Sequence, residues 1–124
     1  MKILVIDDDT DLLEVTKSLL TKKGFEVANH TNWEDALKQI ETFEPQLILL
    51  DVFLTGYDGR VICKQLKFHP DSKHIPVLIF SAYPQVAERV IYEYGADDFI
   101  AKPFEINDLI TKMHSILSQT AELA

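Results

Sequence analysis

A chain of 124 residues with a 47% hydrophobic share suits one compact globular domain. Its formal charge of −8, from 20 acidic against 12 basic residues, argues against direct nucleic-acid binding, which needs a basic stripe, and against anionic membrane surfaces. The single cysteine, Cys63, cannot form an internal disulfide, Lys2 precedes only four apolar residues before Asp7, and no apolar run approaches the ~20 residues of a membrane span, so a soluble cytoplasmic protein is expected.

Lys2-Ile3-Leu4-Val5-Ile6 is a short apolar run ending in Asp7-Asp8-Asp9, which reads as a central parallel strand. Leu12, Leu13, Val15, Thr16, Leu19 and Leu20 recur at helical spacing behind a cap at Asp9 or Thr10, with Lys22 and Lys23 in the last turn and Gly24 as terminator. Phe25 to His30 roughly alternates and reads as an edge strand. Thr31-Asn32-Trp33-Glu34 has capping-box spacing, and Trp33, Ala36, Leu37, Ile40 and Phe43 share one helical face before Pro45. Leu47 to Leu50 is a second continuous apolar run, ending in Asp51. Gly56 and Asp58-Gly59 punctuate a loop, and Val61, Ile62 and Leu66 give a short helix stopped near His69-Pro70. A third run, Pro76 to Phe80, ends in Ser81. Val86, Ala87, Val90, Ile91 and Tyr94 predict a helix ended by Gly95, Asp98 to Ala101 a short last strand, and Ile106, Leu109, Ile110, Met113, Ile116 and Leu117 the final helix.

Strand and helix alternate five times, which predicts an α/β fold: one five-stranded parallel sheet with helices on both faces, doubly wound and flavodoxin-like. The continuous runs belong in the centre, and right-handed crossovers favour the strand order 2-1-3-4-5. Residues 1–118 should form the domain, with 119–124 as a frayed C-terminal tail. Four strand ends then bring polar groups to the carboxyl edge: Asp7 and Asp8, Asp51, Ser81, and Lys102. Carboxylates pushed together raise each other's pKa unless a cation joins them, and hard oxygen ligands in a partly open site suit Mg²⁺. A lysine and a hydroxyl beside them could hold phosphoryl oxygens, with Asp51 as nucleophile.

Asp7-Asp8, Asp51, Asp58-Gly59, Ser81-Ala82, Gly95-Ala96-Asp97-Asp98-Phe99 and Lys102-Pro103, in this order, resemble the CheY-like receiver domain of bacterial response regulators in two-component signalling. The resemblance implies a switch rather than a conventional enzyme. Asp51 would accept a phosphoryl group from a histidine kinase or a histidine phosphotransfer protein. Asp8, Asp51 and the backbone carbonyl of Phe53 would bind Mg²⁺, with Asp7 acting through a water on the metal. Ser81 and Lys102 would each hold a phosphoryl oxygen. Ser81 and Phe99 would form the switch, reshaping the surface of the fourth helix, fifth strand and fifth helix, with Tyr92, Ala101 and Lys112 as members, for an unspecified downstream protein. The Lys102-Pro103 bond is expected to be cis.

Two features depart from the family pattern. Thr55 stands where proline is usual, and bulky Phe53 and Tyr83 flank the site, where they are expected to shield an acyl phosphate from water. Two other readings stay open. One is a receiver-like interaction module acting without phosphorylation. The other is a Mg²⁺-dependent aspartyl-phosphate phosphatase, disfavoured because Phe53 occupies the position of the second, general-acid aspartate. No glycine-rich phosphate loop follows any strand. Cys63 reads as a small buried residue, and His30, His69, His74 and His114 lack metal-ligand spacing.

Overall fold

The computed structural model describes residues 1–51, 53–54, 57–83, 89 and 94–123, with the backbone only at 53, 54, 57, 59 and 119–123. Strands β1 (Lys2–Ile6), β2 (Glu26–His30), β3 (Leu47–Asp51), β6 (Val77–Ser81) and β7 (Asp98–Ala101) form one parallel sheet in the order β2-β1-β3-β6-β7. Counting sheet strands alone, this is the expected 2-1-3-4-5. A separate two-residue hairpin pairs β4 (Phe53–Leu54) with β5 (Tyr57–Asp58). The helices are α1 (Thr10–Lys22), α2 (Trp33–Phe43), α3 (Gly59–Phe68) and α4 (Ile106–Leu123). The helix expected over Val86 to Tyr94 lies largely outside the described residues, with Arg89 and Tyr94 helical. Thr55 and Tyr92 lie outside them as well.

The three continuous apolar runs are central for the reason their composition suggests. Residues Ile3 to Ile6, Leu47 to Leu50 and Val77 to Phe80 are all at most 1% exposed, because helices cover both faces of the sheet. Side-chain alternation splits the core in two. Leu4, Ile6, Ile48, Leu50, Val77 and Ile79 pack with Trp33, Ala36 and Ile40 of α2 and with Ile62, Cys63 and Leu66 of α3. Ile3, Val5, Leu47, Leu49, Leu78, Phe80 and Ile100 pack with Leu13 and Leu20 of α1 and with Leu109, Met113 and Ile116 of α4. Truncating one of the leucines or isoleucines among them to alanine costs ~2–5 kcal/mol.

Several local expectations are corrected. Val15, Leu19, Leu37 and Val61 are exposed, since a helix lying on a sheet buries only a narrow stripe, here Leu13, Thr16 and Leu20 of α1. Asn32, rather than Thr31, caps α2. Its Oδ1 accepts the Asp35 N–H at 2.9 Å and its Nδ2 donates to Asp35 Oδ2 at 2.9 Å. Helix α4 runs to Leu123, and residues 118–123 contain no glycine or proline. No described helix is long and apolar enough to cross a membrane.

Candidate functional site

Strand ends build the site. The Asp7 N–H donates to the His30 carbonyl at 3.2 Å, carrying the β1–β2 pairing one residue past the strand, and the Asp7 side chain stays fully buried. The chain then turns: Asp7 Oδ1 accepts the Asp9 N–H at 3.0 Å, and Asp9 caps α1 by accepting the Leu12 N–H at 3.1 Å. Asp8, between them, faces solvent. Asp51 ends β3 and is 7% exposed. On the far side, the Lys102 N–H donates to the Ser81 carbonyl at 2.8 Å, so the β6–β7 pairing delivers Lys102 to the same edge. The Lys102-Pro103 peptide is cis, as expected.

The Lys102 ammonium lies 2.6 Å from Asp7 Oδ2 and 3.1 Å from Asp51 Oδ2. It also sits 4.6 Å from the centroid of the Phe80 ring, which Phe104 backs edge-on at 6.3 Å. Carboxylate oxygens of Asp7, Asp8 and Asp51 lie within 4.8 Å of one another. Burial pushes the Asp7 carboxyl up to about 6; the bonds from Lys102 and the Asp9 N–H pull it down, and the Asp51 charge pushes it up. Burial works against the Lys102 ammonium, but the bond to Asp7 and the charges of both aspartates outweigh it and hold its pKa above the ordinary lysine value. Lys102 therefore bridges two of the three clustered carboxylates, Asp7 and Asp51. Three oxygen donors on one partly open edge suit a small hard divalent cation such as Mg²⁺.

Ser81 is fully buried, and its Oγ accepts the Tyr83 N–H at 3.0 Å. By alternation from Val77 and Ile79, Ser81 belongs to the α2/α3 face of the sheet, and Phe99 packs half-buried against that same face. Lys102 and Phe80, with the two buried aspartates, belong to the other. The structure therefore brings Asp7, Asp8, Asp51 and Lys102 into one cluster and places Ser81 and Phe99 on the opposite face of the sheet. Phe53 lies two residues beyond Asp51 and pairs with Asp58; its side chain, and so its expected shielding role, falls outside the described residues. Tyr83 is 57% exposed.

Phe80 is legible in the sequence only as core; its place under Lys102 depends on the β6–β7 register, Phe80↔Ile100 and Ser81↔Ala101. Asp58 caps α3 and pairs with Arg60, which holds its carboxyl below the usual range. Burial pushes the Cys63 thiol up to about 12, which leaves it unreactive. A cavity of about 840 Å³ is lined by Met1, Gln46, Pro76 and neighbours at the opposite edge of the sheet and includes none of the clustered groups.

The comparisons agree with this geometry. The family model described as the response regulator receiver domain matches residues 3–114. The alkaline phosphatase synthesis transcriptional regulatory protein PhoP of Bacillus subtilis is 35% identical over 120 residues, 96% of this chain and 49% of that protein. The response regulator MprA of Mycobacterium avium is 35% identical over 121 residues, 97% of this chain and 52% of that protein. The chain thus spans about half the length of these curated relatives. Among solved structures, the receiver domain of NtrX from Brucella abortus superposes with a TM-score of 0.85 at 31% identity, covering 94% of this chain and 98% of that one. A CheY-like response regulator receiver domain protein from Methanospirillum hungatei superposes at 0.88 with 27% identity, covering 99% and 98%. A match running from β1 into α4, in sequence and in strand order alike, places this chain in the family of response regulator receiver domains, the signalling domains of two-component systems.

Proposed function

We propose that Asp51 is the phosphoryl acceptor of a Mg²⁺-dependent phosphorelay switch, supplied by a phosphohistidine on a sensor kinase or phosphotransfer protein. The observation that carries this reading is the meeting of the Asp7, Asp8 and Asp51 carboxylates at one sheet edge, with Nζ of Lys102 3.1 Å from Asp51. An Asp51 carboxylate oxygen attacks phosphorus, the bond from phosphorus to the imidazole nitrogen breaks, and the imidazole leaves with that electron pair. An acyl phosphate remains on Asp51.

Asp7, Asp8, Asp51 and the Phe53 carbonyl would hold Mg²⁺, which when bound neutralises charge on the transferring group. Lys102 stays within reach of Asp51 and pairs with a phosphoryl oxygen. Asp7, fully buried, keeps the lysine at the edge by its 2.6 Å contact. Ser81 is drawn toward the new phosphoryl group, Phe99 moves into the space beside it, and the surface made by β7, α4 and the segment before Gly95 is remodelled for a downstream protein.

Incubation with a small phosphoryl donor and Mg²⁺, read by intact mass, tests the central step. Wild type should gain one phosphoryl group and Asp51→Asn none. Failure of wild type with every donor would favour an interaction module that works without phosphorylation.

A further inference from the structure

We infer that Lys112 is a positioning residue that holds Phe99 at the open edge of the sheet in the unphosphorylated protein. This deepens the proposed function and rests on the reading of Phe99 as a switch. β7 is the edge strand, so only one side of it is paired. Asp98 shares the face of Ile100, toward α4, while Phe99 packs on the opposite face, against the α2/α3 cluster. Lys112 leaves α4 and reaches round this edge. Its Nζ lies 3.3 and 3.4 Å from the two Asp98 carboxylate oxygens and 5.3 Å from the centroid of the Phe99 ring. Asp98 is itself folded back, its Oδ1 accepting the Phe99 N–H at 2.7 Å. One ammonium therefore touches both the Asp98 carboxylate and the Phe99 ring at this edge.

The ring contact exists only while the ring stays at the edge. Movement of Phe99 toward Ser81 carries it away from the cation. A cation over a half-exposed ring biases such an equilibrium about two- to five-fold. That is small beside a phosphoryl group, but enough to set how much of the protein is switched on at rest.

The test is NMR of the Phe99 ring in wild type, Lys112→Met, Lys112→Arg and Asp98→Asn, alone and titrated with beryllofluoride and Mg²⁺ as a phosphoryl mimic. Lys112→Met keeps the stem and removes the charge. It should move the resting Phe99 resonances toward their beryllofluoride positions and lower the beryllofluoride midpoint about two- to five-fold. Lys112→Arg, which keeps a cation over the ring, should behave as wild type. Asp98→Asn, which loses the ion pair and keeps the ammonium, should shift less than Lys112→Met. A Lys112→Met protein with wild-type Phe99 resonances and midpoint overturns the inference and leaves the switch standing, as does an Asp98→Asn shift as large as that of Lys112→Met. Beryllofluoride that leaves Phe99 unmoved in wild type removes both.

Discussion

Lys102 and Asp51 stand 51 positions apart in sequence, yet Nζ of one lies 3.1 Å from Oδ2 of the other. The contact exists because β3 and β7 flank β6 and all three end at the same sheet edge. Asp7, 95 positions from Lys102, shares the same ammonium.

Removal of that cation should be felt first as lost stability. Lys102→Met takes the ammonium away from the buried carboxylates of Asp7 and Asp51, at a cost of about 3 kcal/mol in metal-free protein at neutral pH. Mg²⁺ should restore most of it. Urea unfolding with and without Mg²⁺ measures both effects; a variant as stable as wild type in metal-free buffer would show that Lys102 is not the compensating charge.

Asp8 is the exposed member of the acidic cluster, so its loss should weaken cation binding without opening the core. Asp8→Asn should reduce Mg²⁺ affinity about tenfold or more. Calorimetric titration gives the affinity directly. An unchanged dissociation constant would remove Asp8 from the ligand set.

The α2 cap separates two substitutions that are usually equivalent. Asn32→Ala removes the acceptor for the Asp35 N–H and should cost about 1 kcal/mol. Asn32→Asp keeps an acceptor but turns the Nδ2 donor into a carboxylate oxygen facing Asp35 Oδ2. It should therefore cost a few tenths of a kcal/mol and recover in high salt. Salt-independent thermal melts of Asn32→Asp would show that this pair of carboxylates does not repel.

Cys63 supplies a clean titration. Its thiol is pushed from an ordinary 9.0 up to about 12 by burial, so the folded state keeps the proton longer than the unfolded one. The sign follows: between pH 9.0 and about 12 the unfolded chain releases a proton that the folded chain keeps, and folding stability falls as pH rises. At pH 8 a thiol reagent should react only as fast as the protein opens, so the rate should climb with urea. Rapid stoichiometric labelling of native protein would contradict the burial.

The five sheet strands, the three central ones among them and the aspartates at the strand ends are legible in the sequence alone, because continuous apolar runs suit a sheet covered on both faces, and each run ends in a polar group. Tertiary structure decided the rest. Val15 and Leu37 look like core at helical spacing, but how wide a stripe each helix buries depends on how it lies on the sheet. The Asn32 cap depends on φ and ψ that Thr31 could equally have taken. Phe80 under Lys102 requires the β6–β7 register, and the division of the site, with Asp51 and Lys102 on one face and Ser81 and Phe99 on the other, comes from strand alternation counted from paired residues. Lys112 beside Phe99 needs the packing of α4 against the β7 edge, a contact between residues 13 apart that no local pattern encodes.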